Sequence, residues 1–220
     1  MAENKEIRVI YNIGEEEITL TPSIVQEYIV GSNSKITLPE FKMFTSLCKA
    51  RKLNPFLREA YLIKYGSNPA QIVVSKQAIM KRGTLHPQFD GMKSGIIVLT
   101  KTGEEKERRG TFKRPDETLI GAWCEVYRKD WANSIFCSVS LEEIKNDKNP
   151  SWQKQPAVMA EKVAVVRAMR DAFVEDLGAM YSDDEMNTPD QQPQQEIIEQ
   201  NEPIEMAIDE ETGEVKLTDL

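Results

Sequence analysis

The sequence lacks the glycine-rich motifs that bind nucleotide phosphates. Neither GxxxxGK[ST] nor GxGxxG occurs in its 220 residues, which argues against a P-loop nucleotide triphosphatase and against a dinucleotide-binding enzyme. Histidine is almost absent as well, since His86 is the only one. A lone histidine cannot build a histidine-based zinc site or a hydrolytic triad, so we expect His86 to be structural.

Cysteines are few and unpatterned. Cys48, Cys124 and Cys137 form an odd, scattered set without CxxC spacing, which argues for a reducing compartment and against a disulfide framework. The chain opens with no secretory signal, and no apolar run reaches the length of a membrane span. We therefore expect a soluble cytoplasmic protein without a membrane partner.

The net charge of −8 is distributed unevenly along the chain. From Asp183 onward there are 13 acids and one base, a net of −12, whereas residues 1–182 carry +4 and residues 39–182 carry +7. Residues 183–220 are also rich in Gln and Pro, so we expect a disordered acidic tail in which only IEMAI is able to fold on a partner. Residues 1–182 are long enough for one packed domain.

The pattern of apolar residues in 1–182 predicts an α+β fold with a small antiparallel sheet. Thr37, Pro39 and Glu40 have the spacing of a capping box and predict the start of a helix that ends before Pro55. The strands predicted from alternation and turn signals are Glu6 to Leu20 around Gly14, Ala60 to Tyr65, Gln71 to Val74, Ser94 to Thr100, Glu107 to Phe112, Leu119 to Arg128 and Ser134 to Ser140. Further helices are predicted at Thr21 to Val30, at Ser75 to Arg82 ending at Gly83, and directly after Ser140.

One long helix, Gln155 to Phe173, has cations in an unusual place. Pro156 suits its first turn, and no Gly or Pro follows until Gly178. On a helical wheel Lys162 and Arg170 fall inside the apolar arc and Arg167 lies at its edge. Since an unpaired buried cation is very costly, either acids elsewhere in the fold pair with these cations, or the face borders a cleft that takes an anion. The helix alone does not decide between them.

Basic residues cluster at four places, and aromatic residues accompany two of them. The clusters are Lys76 with Lys81 and Arg82, Lys106 to Arg114, Arg128 with Lys129, and Lys162 with Arg167 and Arg170. Lys and Arg neutralise phosphates independently of sequence, and an aromatic face adds about 1–3 kcal/mol per stacked base. Trp123 and Trp131 are interpreted as core or sheet-end residues, whereas Trp152, in the polar stretch SWQKQP, is a candidate functional residue.

Asp183, Asp184 and Glu185 invite comparison with the metal ligands of a nuclease. Adjacent acids at the start of a disordered tail are ordinarily solvated, so we predict neither a metal site nor a catalytic residue.

Several long strings occur in an order that resembles the RecT and Bet (lambda Red beta-like) group of phage single-strand annealing proteins. They are KLNPFLREAYLIKYG, PAQIVVSKQAIMKR, HPQFDGM, WCEVYRKDW, SWQKQPAVMAEKVAVVRAMRDAF and GAMYSDDE. The resemblance runs from about Ile7 to Glu185 and leaves the tail outside.

The resemblance implies a recombination protein of a phage in its bacterial host cell, which needs no nucleotide cofactor. Such a protein coats single-stranded DNA, forms homo-oligomeric rings or helical filaments, and anneals a complementary strand into a duplex intermediate. It also implies that the long C-terminal helix lines a narrow basic groove beside the sheet. The residues expected to contact nucleic acid are Lys76, Lys81, Arg82, Arg128, Lys129, Trp152, Lys154, Lys162, Arg167 and Arg170.

The chain departs from lambda Red beta in two respects. It has Ala157, Val158 and Glu161 where that relative is more basic, and its tail replaces a folded C-terminal domain that binds an exonuclease and the host single-strand-binding protein. Both proteins are candidate partners of this chain, and the tail could dock the exonuclease or could instead screen the groove. Two rival classes stay open: a passive single-strand-binding or scaffold protein, and an enzyme of nucleic-acid metabolism.

Overall fold

A four-stranded antiparallel sheet with helices on one face forms the centre of an α+β fold. The computed structural model describes residues 7–30, 35–64 and 68–185, and the backbone of 207–208 and 215–216. In the central sheet the strand order is β6-β5-β7-β8, with β5 at Phe89–Leu99, β6 at Glu105–Arg109, β7 at Thr118–Arg128 and β8 at Ile135–Ser140. Each neighbouring pair in this order is antiparallel.

Within the described residues, two hairpins, three α-helices and a 3₁₀ turn precede the sheet. They are β1 Val9–Ile13 with β2 Glu16–Leu20, α1 Pro22–Ile24 continued by a π-helical turn Val25–Ile29, α2 Leu38–Ala50, a 3₁₀ turn Pro55–Leu57, β3 Ala60–Ile63 with β4 Gln71–Val74, and α3 Lys76–Leu85.

Between the sheet and residue 185 there are four helices: α4 Leu141–Ile144, α5 Pro150–Lys154, α6 Pro156–Ala172 and α7 Val174–Leu177. Two short strands, β9 Ala207–Ile208 and β10 Val215–Lys216, pair antiparallel in the tail. The remaining tail residues from 186 onward, on which the predicted disorder falls, lie outside the described residues.

Helix α6 covers one face of the sheet. Ala122, Cys124 and Val126 alternate along β7 and are fully buried in one core with Val163 and Val166 of α6. Because side chains alternate across a strand, the intervening Trp123 points to the opposite face. There its ring stacks on Phe136 of β8, which is 53% exposed, with the centroids 6.2 Å apart. The sheet therefore has one face in the core and one face open.

Helices α3 and α6 run parallel and very close together. Lys76 at the start of α3 pairs with Glu161 near the start of α6. Gly83, near the end of α3, faces Met169 near the end of α6. A β-carbon on Gly83 would lie 2.0 Å from the Met169 Cε. The prediction that Gly83 ends this helix is wrong, because α3 continues to Leu85.

The capping box at the start of α2 is confirmed. The Thr37 hydroxyl accepts from the Glu40 amide at 3.4 Å, and the Glu40 carboxylate accepts from the Thr37 amide at 2.7 Å. The hairpin around Gly14 is also confirmed, since Gly14 lies between β1 and β2 with a φ of 61°. Of the turn predicted after β3, Gly66 and Ser67 lie outside the described residues.

No helix in the described part of the chain is long and apolar enough to cross a membrane.

Candidate nucleic-acid interface

The cations of α6 are held by a short acidic segment that follows α7. This segment, Met180–Glu185, packs along α6, and we call it the strap. It is anchored to the hairpin before α3, because the Tyr181 carbonyl accepts a 2.8 Å hydrogen bond from the Val74 amide. Of the two readings of the α6 cations, the structure shows carboxylates of the same chain beside them.

Arg170 forms the most enclosed of these pairs. Its two terminal nitrogens donate to the two Glu185 oxygens at 3.1 and 2.7 Å, a bidentate pairing. Glu185 is fully buried and also accepts from the Ser182 amide at 2.9 Å and the Ser182 hydroxyl at 3.0 Å. The Tyr181 ring lies 4.5 Å from the guanidinium. Arg170 is thus enclosed by a complete set of intrachain partners.

Lys162 and Arg167 are held more loosely and reach solvent. Lys162 forms an ion pair with Asp184, yet 28% of its side chain is exposed. The Arg167 Nε lies 4.0 Å from Glu185, which is too long for a hydrogen bond, and 23% of this side chain is exposed. The side chain of Arg170 is only 10% exposed. Lys162 and Arg167 are therefore the two α6 cations that an external anion is able to touch.

The expectation that the acids at 183–185 are solvated is wrong for two of them. Asp184 is 2% exposed and Glu185 is fully buried. Burial raises the pKa of Asp183, the neighbouring Asp184 raises it further, and Lys162 opposes both effects. The packed body therefore extends at least to Glu185. Sequence reasoning missed these counter-charges because the partners are separated by 15 residues between Arg170 and Glu185.

The three cations of α3 have partners in different parts of the fold, and Lys76 is the one that pairs with α6. Lys76 contacts Glu161 at 3.2 Å, and the same carboxylate accepts from the Ser94 hydroxyl at 2.6 Å. Lys81 pairs with Glu59 at 3.0 Å and is 60% exposed. Arg82 donates to the Lys52 carbonyl at the end of α2.

Arg128 ends β7 and ties the sheet to the last helices. It donates to both Asp130 oxygens at 2.9 and 2.8 Å and to Glu175 at 2.9 Å. The hydrogen bonds to Asp130 have the largest effect on the pKa of Arg128 and raise it. Burial lowers the pKa of Arg128, and Glu175 raises it. Its guanidinium lies over the rings of Trp131 and Phe173 at 4.6 and 5.1 Å. Arg128 is thus largely committed to intrachain contacts.

The sequence profile of the RecT family matches residues 16–203. The chain belongs to the RecT family. This confirms the resemblance seen in the sequence and carries the match 18 residues beyond Glu185, into the segment that the resemblance left outside. No curated protein sequence matches the chain. RecT family proteins are single-strand annealing proteins of DNA recombination rather than catalytic enzymes.

Two other predicted contacts of this RecT-family chain lie on α5, and one is buried. Trp152 is fully buried, so its ring is not available to stack on a base. The polar stretch around Trp152 is a helix, because Asn149 caps it and Pro150 occupies its first turn, and Trp152 is the buried residue of this helix. Within the described residues the Trp152 indole nitrogen has no hydrogen-bond partner. The neighbouring Lys154 is exposed.

The predicted residues thus form three groups in this RecT-family fold. Lys76, Lys81, Arg82, Lys162, Arg167 and Arg170 lie on the paired helices α3 and α6. Arg128 and Lys129 lie at the end of β7, where Lys129 is exposed and donates to the Pro87 carbonyl at 3.1 Å. Trp152 and Lys154 lie on α5, immediately before α6. The structure does not unite all ten in one site.

Proposed function

We propose that this RecT-family protein is an ATP-independent annealing protein that binds single-stranded DNA by its phosphates and pairs it with a complementary strand. The observation that carries the proposal is the family match over residues 16–203, which spans nearly all of the described body. The solvent-accessible cations on α3 and α6 support the phosphate-binding part. The protein needs no nucleotide cofactor and is not an enzyme in this proposal.

Within that function the cations of α6 have unequal roles. Lys162 and Arg167 contact phosphates from the solvent side, together with Lys76 and Lys81 on α3. Arg170, enclosed by Glu185 and Tyr181, is a positioning residue that fixes the strap against α6. Since Lys and Arg neutralise phosphate charge without reading base edges, sequence discrimination comes from Watson–Crick pairing between the two strands.

Partial neutralisation by the strap favours an assembly over a single subunit. Lys162 and Arg167 each already have a carboxylate of the same chain within 4.0 Å. Each phosphate contact therefore adds little binding free energy to one subunit. Subunits side by side in a ring or filament add their contacts along one strand, and binding becomes strong only over many nucleotides. An exonuclease and a single-strand-binding protein remain proposed partners of the tail.

The deciding test compares annealing of two complementary oligonucleotides with and without protein, in the absence of ATP. Pairing well above the spontaneous rate is the expected result. Binding of a strand without any acceleration would replace the proposal with a passive single-strand-binding protein. DNA cleavage or ATP turnover would instead indicate an enzyme.

Salt dependence tests the phosphate contacts separately. The logarithm of the binding constant should fall linearly with the logarithm of salt concentration, by about 0.7 per phosphate neutralised on a single strand. A flat response between low and moderate salt would contradict binding through phosphates. The double variant Lys162→Ala with Arg167→Ala should have the shallower slope.

A further inference from the structure

A basic pocket, separate from the α6 cations, lies where α2 and α3 end beside α7. It has a volume of about 360 Å³, and its lining includes Arg51, Lys52, Arg82 and His86, with Asp176 as the acid. Arg51 and Lys52 were not among the residues predicted to contact nucleic acid. No sequence pattern marks either residue as a binding residue, because the pocket forms only where three helices meet in the fold.

The pocket cations differ from those of α6 in their partners. Arg51 donates to the Glu175 carbonyl at 2.7 Å and to the Gly178 carbonyl at 2.9 Å. Arg82 donates to the Lys52 carbonyl. Among the described residues, no carboxylate lies within 4.0 Å of a side-chain nitrogen of Arg51, Lys52 or Arg82. Main-chain carbonyls at helix ends orient the guanidiniums, and carboxylates such as Asp176 act on Arg82 only at longer range.

The electrostatic surroundings of Arg82 also favour an anion in the pocket. Burial lowers the pKa of its guanidinium, Glu59 and Asp176 raise it, and the like charge of Arg51 lowers it again. The Arg82 Nε is buried and, within the described residues, has no hydrogen-bond partner. Two guanidiniums and an ammonium thus share one concave site with a single lining carboxylate. An anion placed there relieves their mutual repulsion.

We propose that this pocket is a second phosphate-binding site, which takes a backbone phosphate of single-stranded nucleic acid. The inference rests on the proposed function for its ligand. Guanidinium forks suit phosphate oxygens, and a concave site with one sign of charge concentrates anions. Arg82 joins the pocket to the α3 and α6 cations, because it stands on the same helix as Lys76 and Lys81. The DNA path therefore continues from α6 along α3 to the end of α2.

Lys52 gives the cleanest test of the pocket. Its side chain is exposed, and its φ is 47°, a left-handed backbone conformation that favours glycine. Lys52→Gly removes the charge while relaxing the backbone, so the thermal midpoint should be unchanged or higher. Lys49→Ala is the matched control, since it removes one exposed cation from the last turn of α2, outside the pocket lining.

The experiment measures binding of a fluorescent oligothymidylate to the full chain over a series of salt concentrations. For Lys52→Gly we expect weaker binding and a salt slope shallower by about 0.7, the increment for one phosphate on a single strand. Lys49→Ala should keep the wild-type slope. A parallel arm measures thermal stabilisation by inorganic phosphate, which separates a free anion from a DNA phosphate as the ligand.

Each outcome decides a different question. Equal slopes for Lys52→Gly and Lys49→Ala, with wild-type protein binding and annealing normally, would overturn the pocket and leave the proposed function intact. Stabilisation by inorganic phosphate that depends on Lys52, without any change in DNA binding, would assign the pocket to a free anion. Failure of wild-type protein to bind or anneal DNA would overturn the proposed function itself.

Discussion

Removing the charge of Glu185 should lower the free energy of unfolding far more than removing the charge of Asp184. Glu185 is fully buried, and its partner Arg170 is only 10% exposed at the side chain. Glu185→Gln leaves that guanidinium enclosed without a counter-charge, and breaking a buried pair in this way costs about 3–5 kcal/mol. Lys162, the partner of Asp184, is 28% exposed and turns readily to water, so Asp184→Asn should cost only about 1 kcal/mol.

The assay is urea unfolding followed by tryptophan fluorescence and circular dichroism, with thermal unfolding beside it. For a chain of this size each kcal/mol shifts the thermal midpoint by about 2–4 °C, so Glu185→Gln should lower it by about 10 °C. Asp184→Asn should instead strengthen DNA binding, because it frees Lys162 for a phosphate. A Glu185→Gln variant within about 1 kcal/mol of wild type would refute the claim that the strap is part of the packed body.

Three further predictions follow from particular contacts. Lys162→Ala with Arg167→Ala should slow oligonucleotide annealing and lower the free energy of unfolding by about 1–3 kcal/mol, because the buried Asp184 loses its cation; an unchanged annealing rate would remove them from the interface. Gly95→Ala should destabilise by about 3 kcal/mol in urea unfolding, because its β-carbon would lie 1.8 Å from the Arg108 carbonyl oxygen; wild-type stability would mean that this backbone contact is absent in solution. For Glu40, burial raises the pKa, but hydrogen bonds from Thr37, Lys64 and Ala70 outweigh it and lower the pKa from 4.5 to about 2. Its contribution to stability is therefore present above pH 4.5 and lost as the pH falls toward 2, so Glu40→Gln should flatten the pH dependence of stability in that window and leave the rest of the curve parallel.

Local features of the fold were predictable because their causes are local. The capping box of α2 needs only Thr37 and Glu40, three residues apart. The hairpin β1–β2 needs Gly14 between two alternating segments. The long helix followed from an uninterrupted run of helix-forming residues after Pro156. In each case the partners are close along the chain, so the pattern of residue types is sufficient.

The interface was less predictable because its electrostatics depend on contacts across the fold. A helical wheel showed that Lys162 and Arg170 point inward, but it carried no information on which carboxylates return to meet them. Composition placed Asp184 and Glu185 with the acidic tail, although the fold packs them against α6. Trp152 was misread for a related reason: its neighbours in sequence are polar, whereas its neighbours in space are core residues.

The strap also determines where the packed body can be shortened. Asp184 and Glu185 supply the intrachain counter-ions of Lys162 and Arg170, so a chain that stops at residue 182, where the overall charge changes sign, would leave both cations without them. Removal of the acidic tail should therefore begin after Glu185, so that any change in DNA binding reports the tail and not a damaged core.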